Sequence, residues 1–181
     1  MSSPQIKILP QHVASKIAAG EVVNRPSSVI KELLENSLDA NATEIHIIIK
    51  DGGKSLIQIV DNGNGMDDDD SLLAFQRHAT SKISSFEDLE NLYSFGFRGE
   101  ALASVAAVAQ VEMRTRTKQN DVGTLVIIEG NKVTEHSKVA TEIGTWLAVR
   151  NLFFNTPARK NFLKSDSTEF RHIVKIGRAH V

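Results

Sequence analysis

The stretch EIHIIIKDGGKSLIQIV, Glu44–Val60, decides the fold of this chain. Two runs rich in isoleucine and valine flank the turn sequence Asp51–Lys54, which predicts a β-hairpin. A phosphate-binding P-loop is excluded there, because Ile48 occupies the position of its first glycine and a strand pattern follows Lys54 where the motif needs a helix. The stretch therefore predicts two antiparallel strands joined by a turn.

Helical patterns lie on both sides of this hairpin. One helix is predicted to end near Gly20, and a second begins after Pro26 with Ser27 or Ser28 as its cap. The apolar stripe of the second helix comprises Val29, Ile30, Leu33, Leu34 and Leu38. Further helices are predicted in SLLAFQRHA and FEDLENLYS.

Strand patterns fill the second half of the chain, in QVEMRTRT, GTLVIIEG, KVTEHSKV and GTWLAVRNLF. Two helical segments, from Pro157 and from Ser167, follow them. This order of elements predicts an α+β fold: a two-layer sandwich whose sheet is mixed and mostly antiparallel, with helices on one face.

Composition narrows the class of protein. The chain has 181 residues, 41% hydrophobic and 24% charged, as expected for one soluble globular domain. It contains no cysteine, which excludes disulfides, thiolate metal sites and cysteine catalysis. The net charge of -1 argues against a dedicated nucleic-acid-binding module, and no apolar run reaches the roughly 18 residues that span a bilayer.

Two apparent metal sites do not meet the requirements of their motifs. DNGNGMDDDD has Gly63 where a calcium loop needs Asp or Asn, so Asp67–Asp70 are predicted to cap a helix that starts near Ser71. The six histidines show no ligand spacing and are predicted to be ordinary surface or core residues.

The helix KELLENSLDA carries chemistry on one face. Glu32, Asn36 and Asp39 are spaced i, i+4, i+7 and share a face about two turns long. A carboxylate and an amide one turn apart can respectively deprotonate a water and ligate a hard cation such as Mg²⁺. The alternative is an ordinary polar helix face.

Asp61 leaves an apolar strand and enters a loop with Gly63 and Gly65. An aspartate there often caps a turn, but a half-buried one can also accept a hydrogen bond from an exocyclic amine such as that of adenine. Gly65 would let the backbone approach a flat ring closely.

The stretch SFGFRGEALASV, Ser94–Val105, places two glycines and an arginine before an alanine-rich helix. The free N–H groups and positive dipole end of that helix would suit a phosphate chain. The alternative is a capped turn, and Glu100 is assigned to capping or loop positioning, since a carboxylate repels phosphate.

Five segments, ELLENSLDA, DNGNGM, ATSKI, GFRGEALAS and GTWLAVRNLFFNTPARKNFL, occur in this order and together resemble the N-terminal ATPase region of the MutL family of DNA mismatch-repair proteins, within the GHKL superfamily. The resemblance runs from about Ile8 to Ile173. It implies the Bergerat ATP-binding fold over residues 1–181, with 1–20 as an N-terminal arm and 77–105 as the region of a lid over ATP.

The resemblance also implies roles for individual residues. Glu32 would be the general base that aligns the attacking water, and Asn36 would hold Mg²⁺. Asp61 would bind the adenine amino group, with Gly65 beside the ring and Thr145 supporting it through water. The ATP-binding lid would comprise Thr80, Ser81, Lys82, Gly96, Phe97, Arg98, Gly99, Glu100, Ala101 and Leu102, with Lys82 and Arg98 as its cations.

Cofactors, partners and location follow from the same resemblance. ATP and Mg²⁺ are the expected cofactors, and ATP binding is expected to drive dimerisation through the N-terminal arm. The mismatch-recognition protein MutS and duplex or single-stranded DNA are expected partners in the full-length protein, in the bacterial cytoplasm at the nucleoid. Hydrolysis by this chain alone is expected to be weak, because the family's second domain supplies a lysine to the γ-phosphate.

Two other functions remain open from the sequence. The chain could be a nucleotide-gated scaffold that recruits repair partners and uses hydrolysis only to reset itself. It could also be another GHKL ATPase, such as a type II topoisomerase subunit, although GFRGEAL stands where those relatives carry other glycine loops.

Overall fold

The computed structural model describes residues 10–76 and 100–179. In chain order, the described α-helices and strands are α1 (Gln11–Val22), α2 (Pro26–Asp39), β1 (Ile45–Lys50), β2 (Leu56–Asp61), α3 (Asp68–Leu73), α4 (Ala101–Val108), β3 (Gln110–Arg116), β4 (Gly123–Glu129), β5 (Lys132–Val139), β6 (Gly144–Arg150), α5 (Pro157–Phe162) and α6 (Asp166–Ala179), with a 3₁₀ turn, Asp51–Gly53, between β1 and β2. Across these two ranges, no helix is long and apolar enough to cross a membrane.

The strands form one six-stranded sheet in the order β1-β2-β6-β3-β4-β5. The predicted hairpin is confirmed: β1 and β2 are antiparallel, with Ile45 opposite Asp61 and Lys50 opposite Leu56. Every strand pair in the described part of the chain is antiparallel. The predicted α+β fold with a largely antiparallel sheet is therefore confirmed.

The core lies between the sheet and its helices. Alternate residues of β3, such as Val111 and Met113, are at most 1% exposed and pack in one cluster with Val29 and Ile30 of α2 and Val105 of α4. The predicted apolar stripe of α2 is buried, apart from its last member, Leu38, which is half-buried. Burial of this alternating face is the main force that fixes the strand register.

The first predicted helix end is confirmed to within two residues, and the predicted cap of α2 is wrong. α1 passes Gly20 and ends at Val22. A Cβ at Gly20 would lie 1.4 Å from a guanidinium nitrogen of Arg159, so the glycine makes room for that side chain instead of ending the helix. Neither serine caps α2: Arg25 occupies the N-cap position without a side-chain capping bond, and the Ser28 hydroxyl donates to Asn24 at 2.7 Å.

The helix predicted near Ser71 begins at Asp68, and Asp67 caps it by accepting a hydrogen bond from the Asp70 N–H at 2.9 Å. Asp68 then joins the helix to the sheet. Its Oδ1 accepts from the Thr124 hydroxyl at 2.8 Å, and Lys138 Nζ donates to the same oxygen at 2.6 Å. The helix predicted in FEDLENLYS lies outside the described residues.

The pH dependence of stability tests the link made by Asp68. Hydrogen bonds from Lys138, and then from Thr124, lower the pKa of Asp68 from 3.8 to about 2. A carboxyl whose folded pKa lies below its unfolded pKa stabilises the fold above the unfolded value and loses that effect as the pH falls through the folded value. Asp68→Asn should therefore lower the free energy of unfolding near neutral pH, and the difference from wild type should shrink between about pH 4 and pH 2.

Denaturant unfolding across that pH range checks the expectation. Asp69→Asn, which removes an exposed neighbouring carboxylate, is the matched control. A difference between wild type and Asp68→Asn that stays constant down to about pH 2 would contradict the role of Asp68.

Candidate functional site

A row of polar side chains crosses the helix-facing side of the sheet. The strand register places Asp61 of β2 opposite Thr145 of β6, Thr145 opposite Thr115 of β3, and Thr115 opposite Thr124 of β4. Thr115 and Thr124 are at most 2% exposed, and Asp61 is 9% exposed. Residues this polar are buried at a cost unless each finds a hydrogen-bond partner, so the partners of this row decide how its side chains are oriented.

The Asp61 carboxylate is held by two donors. The Ser37 hydroxyl of α2 donates to one oxygen at 2.8 Å, and the Gly63 N–H donates to the other at 2.9 Å. Each carboxylate oxygen has a further lone pair. The group is therefore fixed in orientation and can still accept a hydrogen bond from a ligand.

A small pocket, partly open to solvent, lies beside Asp61. Its walls are mostly apolar and come from α2, β2, the loop after β2, α4 and β6. The lining residues are Leu33, Asn36, Ser37, Ala40, Ile59, Asp61, Gly65, Met66, Leu102, Thr145 and Leu147. The structure thus brings together five residues that the sequence predicted as a site: Asn36, Asp61, Gly65, Leu102 and Thr145.

The loop between β2 and α3 is fastened to β3. Gly65 has a φ of +67°, and a Cβ there would lie 2.0 Å from the Arg116 carbonyl oxygen. The next residue, Met66, donates its N–H to the Thr115 hydroxyl at 2.9 Å. Gly65 is required for this close approach to β3, and its predicted contact with a flat ring stays a prediction.

The α2 face has the predicted helical spacing. Asn36 lines the pocket, and Glu32 lies half-buried one turn before it. The neighbouring Glu35 is 5% exposed and forms an ion pair with Lys31 at 3.2 Å. Of these two glutamates, Glu32 is the one that lies one helical turn from Asn36, as the sequence spacing predicts.

The start of α4 forms the other side of the pocket. Glu100 occupies the N-cap position, but its side chain makes no capping bond; its carbonyl oxygen accepts from the Ser104 N–H at 2.8 Å. Ala101 begins the helix, and Leu102 reaches the pocket. The other predicted lid residues, Thr80, Ser81, Lys82, Gly96, Phe97, Arg98 and Gly99, lie outside the described residues.

The side chains that line the pocket fit a nucleotide, and Asn36 is the candidate ligand for a metal ion beside it. A fixed acceptor beside apolar walls suits a flat ring with an exocyclic amine. Over residues 10–76 and 100–179, no three His, Asp or Glu side chains form a cluster that could hold a metal ion. Asn36 could supply one oxygen, as suits Mg²⁺, which takes few ligands from protein and the rest from phosphates and water.

The polar contacts of the site also involve residues that the sequence did not predict. Ser37 follows Asn36 in α2, and that position is the sequence signal that could have indicated it. Met66 and Thr115 carry no local signal, because their roles come from pairing between distant segments.

Comparison with known proteins gives consistent matches. A family model described as histidine kinase-, DNA gyrase B- and HSP90-like ATPase matches residues 24–152. The DNA mismatch repair protein MutL of Flavobacterium johnsoniae is 59% identical over 169 residues, which is 93% of this chain and 26% of that protein. MutL of Chlorobium phaeobacteroides is 54% identical over 98% of this chain and 28% of that protein. The chain thus spans about a quarter of the length of these relatives.

Solved structures agree with the sequence matches. The Aquifex aeolicus MutL ATPase domain complexed with ADP aligns with a TM-score of 0.64 and 34% identity, over 86% of this chain and 54% of that one. The N-terminal domain of a DNA repair protein aligns with a TM-score of 0.74 and 30% identity, over 90% of this chain and 46% of that one. The chain therefore belongs to the family of histidine kinase-, DNA gyrase B- and HSP90-like ATPases, in which it is an N-terminal ATPase domain of the MutL mismatch-repair type.

Proposed function

We propose that the chain binds ATP in the pocket beside Asp61 and hydrolyses it with Mg²⁺, by direct attack of water on the γ-phosphate, as part of MutL-type mismatch repair. The observation that carries the proposal is the buried Asp61 carboxylate, fixed by Ser37 and Gly63 beside an apolar pocket. The ADP complex of the similar Aquifex aeolicus domain supports it. The similarity to MutL proteins favours a role in mismatch repair over that of a type II topoisomerase subunit.

The adenine ring is proposed to lie between the apolar walls with its amino group toward Asp61. Leu33, Ile59, Met66 and Leu147 supply those walls. A hydrogen bond to a charged acceptor contributes about 1.5–3 kcal/mol, and the rigid support from Ser37 means that little orientational freedom is lost on binding.

The phosphates are proposed to extend along α2 toward Asn36 and Glu32. Mg²⁺, when bound, would offset phosphate charge, with Asn36 as its protein ligand. Glu32 would hold the attacking water and accept its proton, a role that requires a carboxylate within hydrogen-bond reach of that water. Glu100, Ala101 and Leu102 would border the phosphate side, with Lys82 and Arg98 as the cations of the lid.

ATP binding is proposed to close the lid, residues 77–105, and to drive dimerisation through the N-terminal arm, residues 1–20. In the full-length protein we propose MutS and duplex or single-stranded DNA as further partners, and a bacterial cytoplasmic location at the nucleoid. We propose that turnover by residues 1–181 alone is weak and rises when a second domain supplies a lysine to the γ-phosphate.

Glu32→Ala in the full-length protein should abolish hydrolysis while ATP binding stays near wild type. The reason is that a general base acts on the water and makes little contact with the nucleotide, and its loss lowers rates by about 10²–10⁴-fold. Steady-state phosphate release, with binding measured by calorimetry, checks this. Glu142→Gln, an exposed glutamate between β5 and β6, is the control. Unchanged turnover in Glu32→Ala would refute the assignment.

Asp61→Ala should instead weaken nucleotide binding strongly, because the adenine amino group would lose its charged acceptor and the Ser37 hydroxyl would keep only the Leu33 carbonyl oxygen as a partner. Calorimetry with ADP should show an affinity at least about 10-fold weaker, given the 1.5–3 kcal/mol value of such a bond. Asp69→Ala, which removes an exposed carboxylate, is the control. Wild-type affinity for ADP in Asp61→Ala would be incompatible with binding of the adenine amino group by Asp61.

A further inference from the structure

Thr115 occupies the centre of a buried hydrogen-bond junction next to the pocket without lining it. Its hydroxyl lies 3.0 Å from the Gly144 carbonyl oxygen, 3.1 Å from the Thr145 hydroxyl and 2.9 Å from the Met66 nitrogen. The residue is 0% exposed. It therefore joins β3, β6 and the loop after β2 beside Met66 and Thr145, which line the pocket.

Counting protons at this junction fixes the direction of each bond. A threonine hydroxyl has one proton to donate and two lone pairs to accept with. The Gly144 carbonyl can only accept, so the Thr115 proton goes to it. The two Thr115 lone pairs then receive the Met66 N–H and the Thr145 hydroxyl proton.

We infer that Thr115 is a positioning residue for nucleotide specificity, which makes Thr145 a pure hydrogen-bond acceptor toward the pocket. With its proton committed to Thr115, the Thr145 oxygen presents only lone pairs to a ligand or to a bridging water. The Met66 N–H is likewise taken up by Thr115. The inference rests on the proposed nucleotide binding and deepens it.

The neighbouring donors are committed in the same way. The Ser37 hydroxyl lies 2.8 Å from the Asp61 carboxylate and 3.2 Å from the Leu33 carbonyl oxygen, so its one proton is shared between acceptors on the protein, and the Gly63 N–H donates to the Asp61 carboxylate. The side chains of Asp61 and Thr145, adjacent in the strand register, thus form a wall that accepts hydrogen bonds. Such a wall accepts hydrogen bonds from the amino group of a 6-aminopurine, whereas the carbonyl of a 6-oxopurine in the same position would place one acceptor against another.

Thr124 provides a matched control. It is the next residue in the same row, is 2% exposed and donates its hydroxyl proton to Asp68, away from the pocket. Thr124→Val replaces a buried threonine by a residue of nearly the same size and removes its hydroxyl, in the same sheet but away from Thr145. It should lower stability and leave specificity unchanged.

The test is the ratio of the dissociation constants of IDP and ADP, measured by calorimetry on the chain and its variants. Wild type should prefer ADP by roughly 100-fold or more, as expected when a site leaves polar groups unpaired against the wrong ligand. Thr115→Val should reduce that preference by about 10-fold, because Thr145 regains a proton that it can donate to a carbonyl. Thr115→Ser, which keeps the hydroxyl, and Thr124→Val should keep the wild-type ratio.

A double-mutant cycle checks that Thr115 acts through Thr145. The double variant, Thr115→Val with Thr145→Val, should show the same ratio of IDP to ADP dissociation constants as Thr145→Val alone. Thr145→Val also tests the inference if Thr115→Val does not fold, because removal of the acceptor should itself reduce the preference for ADP.

Each contrary result has a distinct meaning. Equal weakening of ADP and IDP in Thr115→Val, with the ratio unchanged, would show a structural role only and overturn the inference. An unchanged ratio in Thr145→Val would also overturn the inference. If the wild type binds ADP and IDP equally well, the inference is overturned and the proposed nucleotide binding is not. A wild type that binds neither nucleotide would overturn the proposed function and this inference together.

Discussion

The register that places Asp61 beside Thr145, and Thr145 beside Thr115, is the constraint on which the rest of the site depends. In a β-sheet, a shift of one residue moves every side chain of a strand to the opposite face. A slip of β2 against β6 would carry Asp61 away from α2 and from Ser37, its hydrogen-bond donor. The apolar residues that alternate with the polar row bury the same face, so the force that forms the core also positions the polar groups.

The polar row links binding chemistry to stability. Three of its members, Asp61, Thr115 and Thr124, are buried, and each has at least one hydrogen-bond partner. A buried polar group that loses its partner costs about 1–3 kcal/mol, so these bonds hold the loop after β2 and the start of α3 firmly on the sheet. These bonds orient the pocket wall without a ligand, which favours affinity because less order has to be imposed on binding.

Much of this arrangement could be predicted from the sequence. The hairpin followed from two apolar runs around a turn, and the α2 face followed from the i, i+4 spacing of Glu32 and Asn36. Local rules failed where distant segments decide the outcome. Gly20 resembles a helix stop, yet it lies inside α1, where the absence of a Cβ makes room for Arg159. Thr115 resembles an ordinary strand residue until β6 and the loop after β2 are brought to it.

The central claim is that a nucleotide binds in the pocket beside Asp61, and nuclear magnetic resonance tests it most directly. The chain is labelled with nitrogen-15 and titrated with a non-hydrolysable ATP analogue, once in the presence and once in the absence of Mg²⁺. We predict saturable shifts of the amides around the pocket, at Ser37, Gly63, Gly65 and Thr145, in both conditions. The Asn36 side-chain amide should shift further when Mg²⁺ is present. Saturable shifts confined to the opposite face of the sheet, at Glu112 and Arg114, or no shifts at all, would contradict the account.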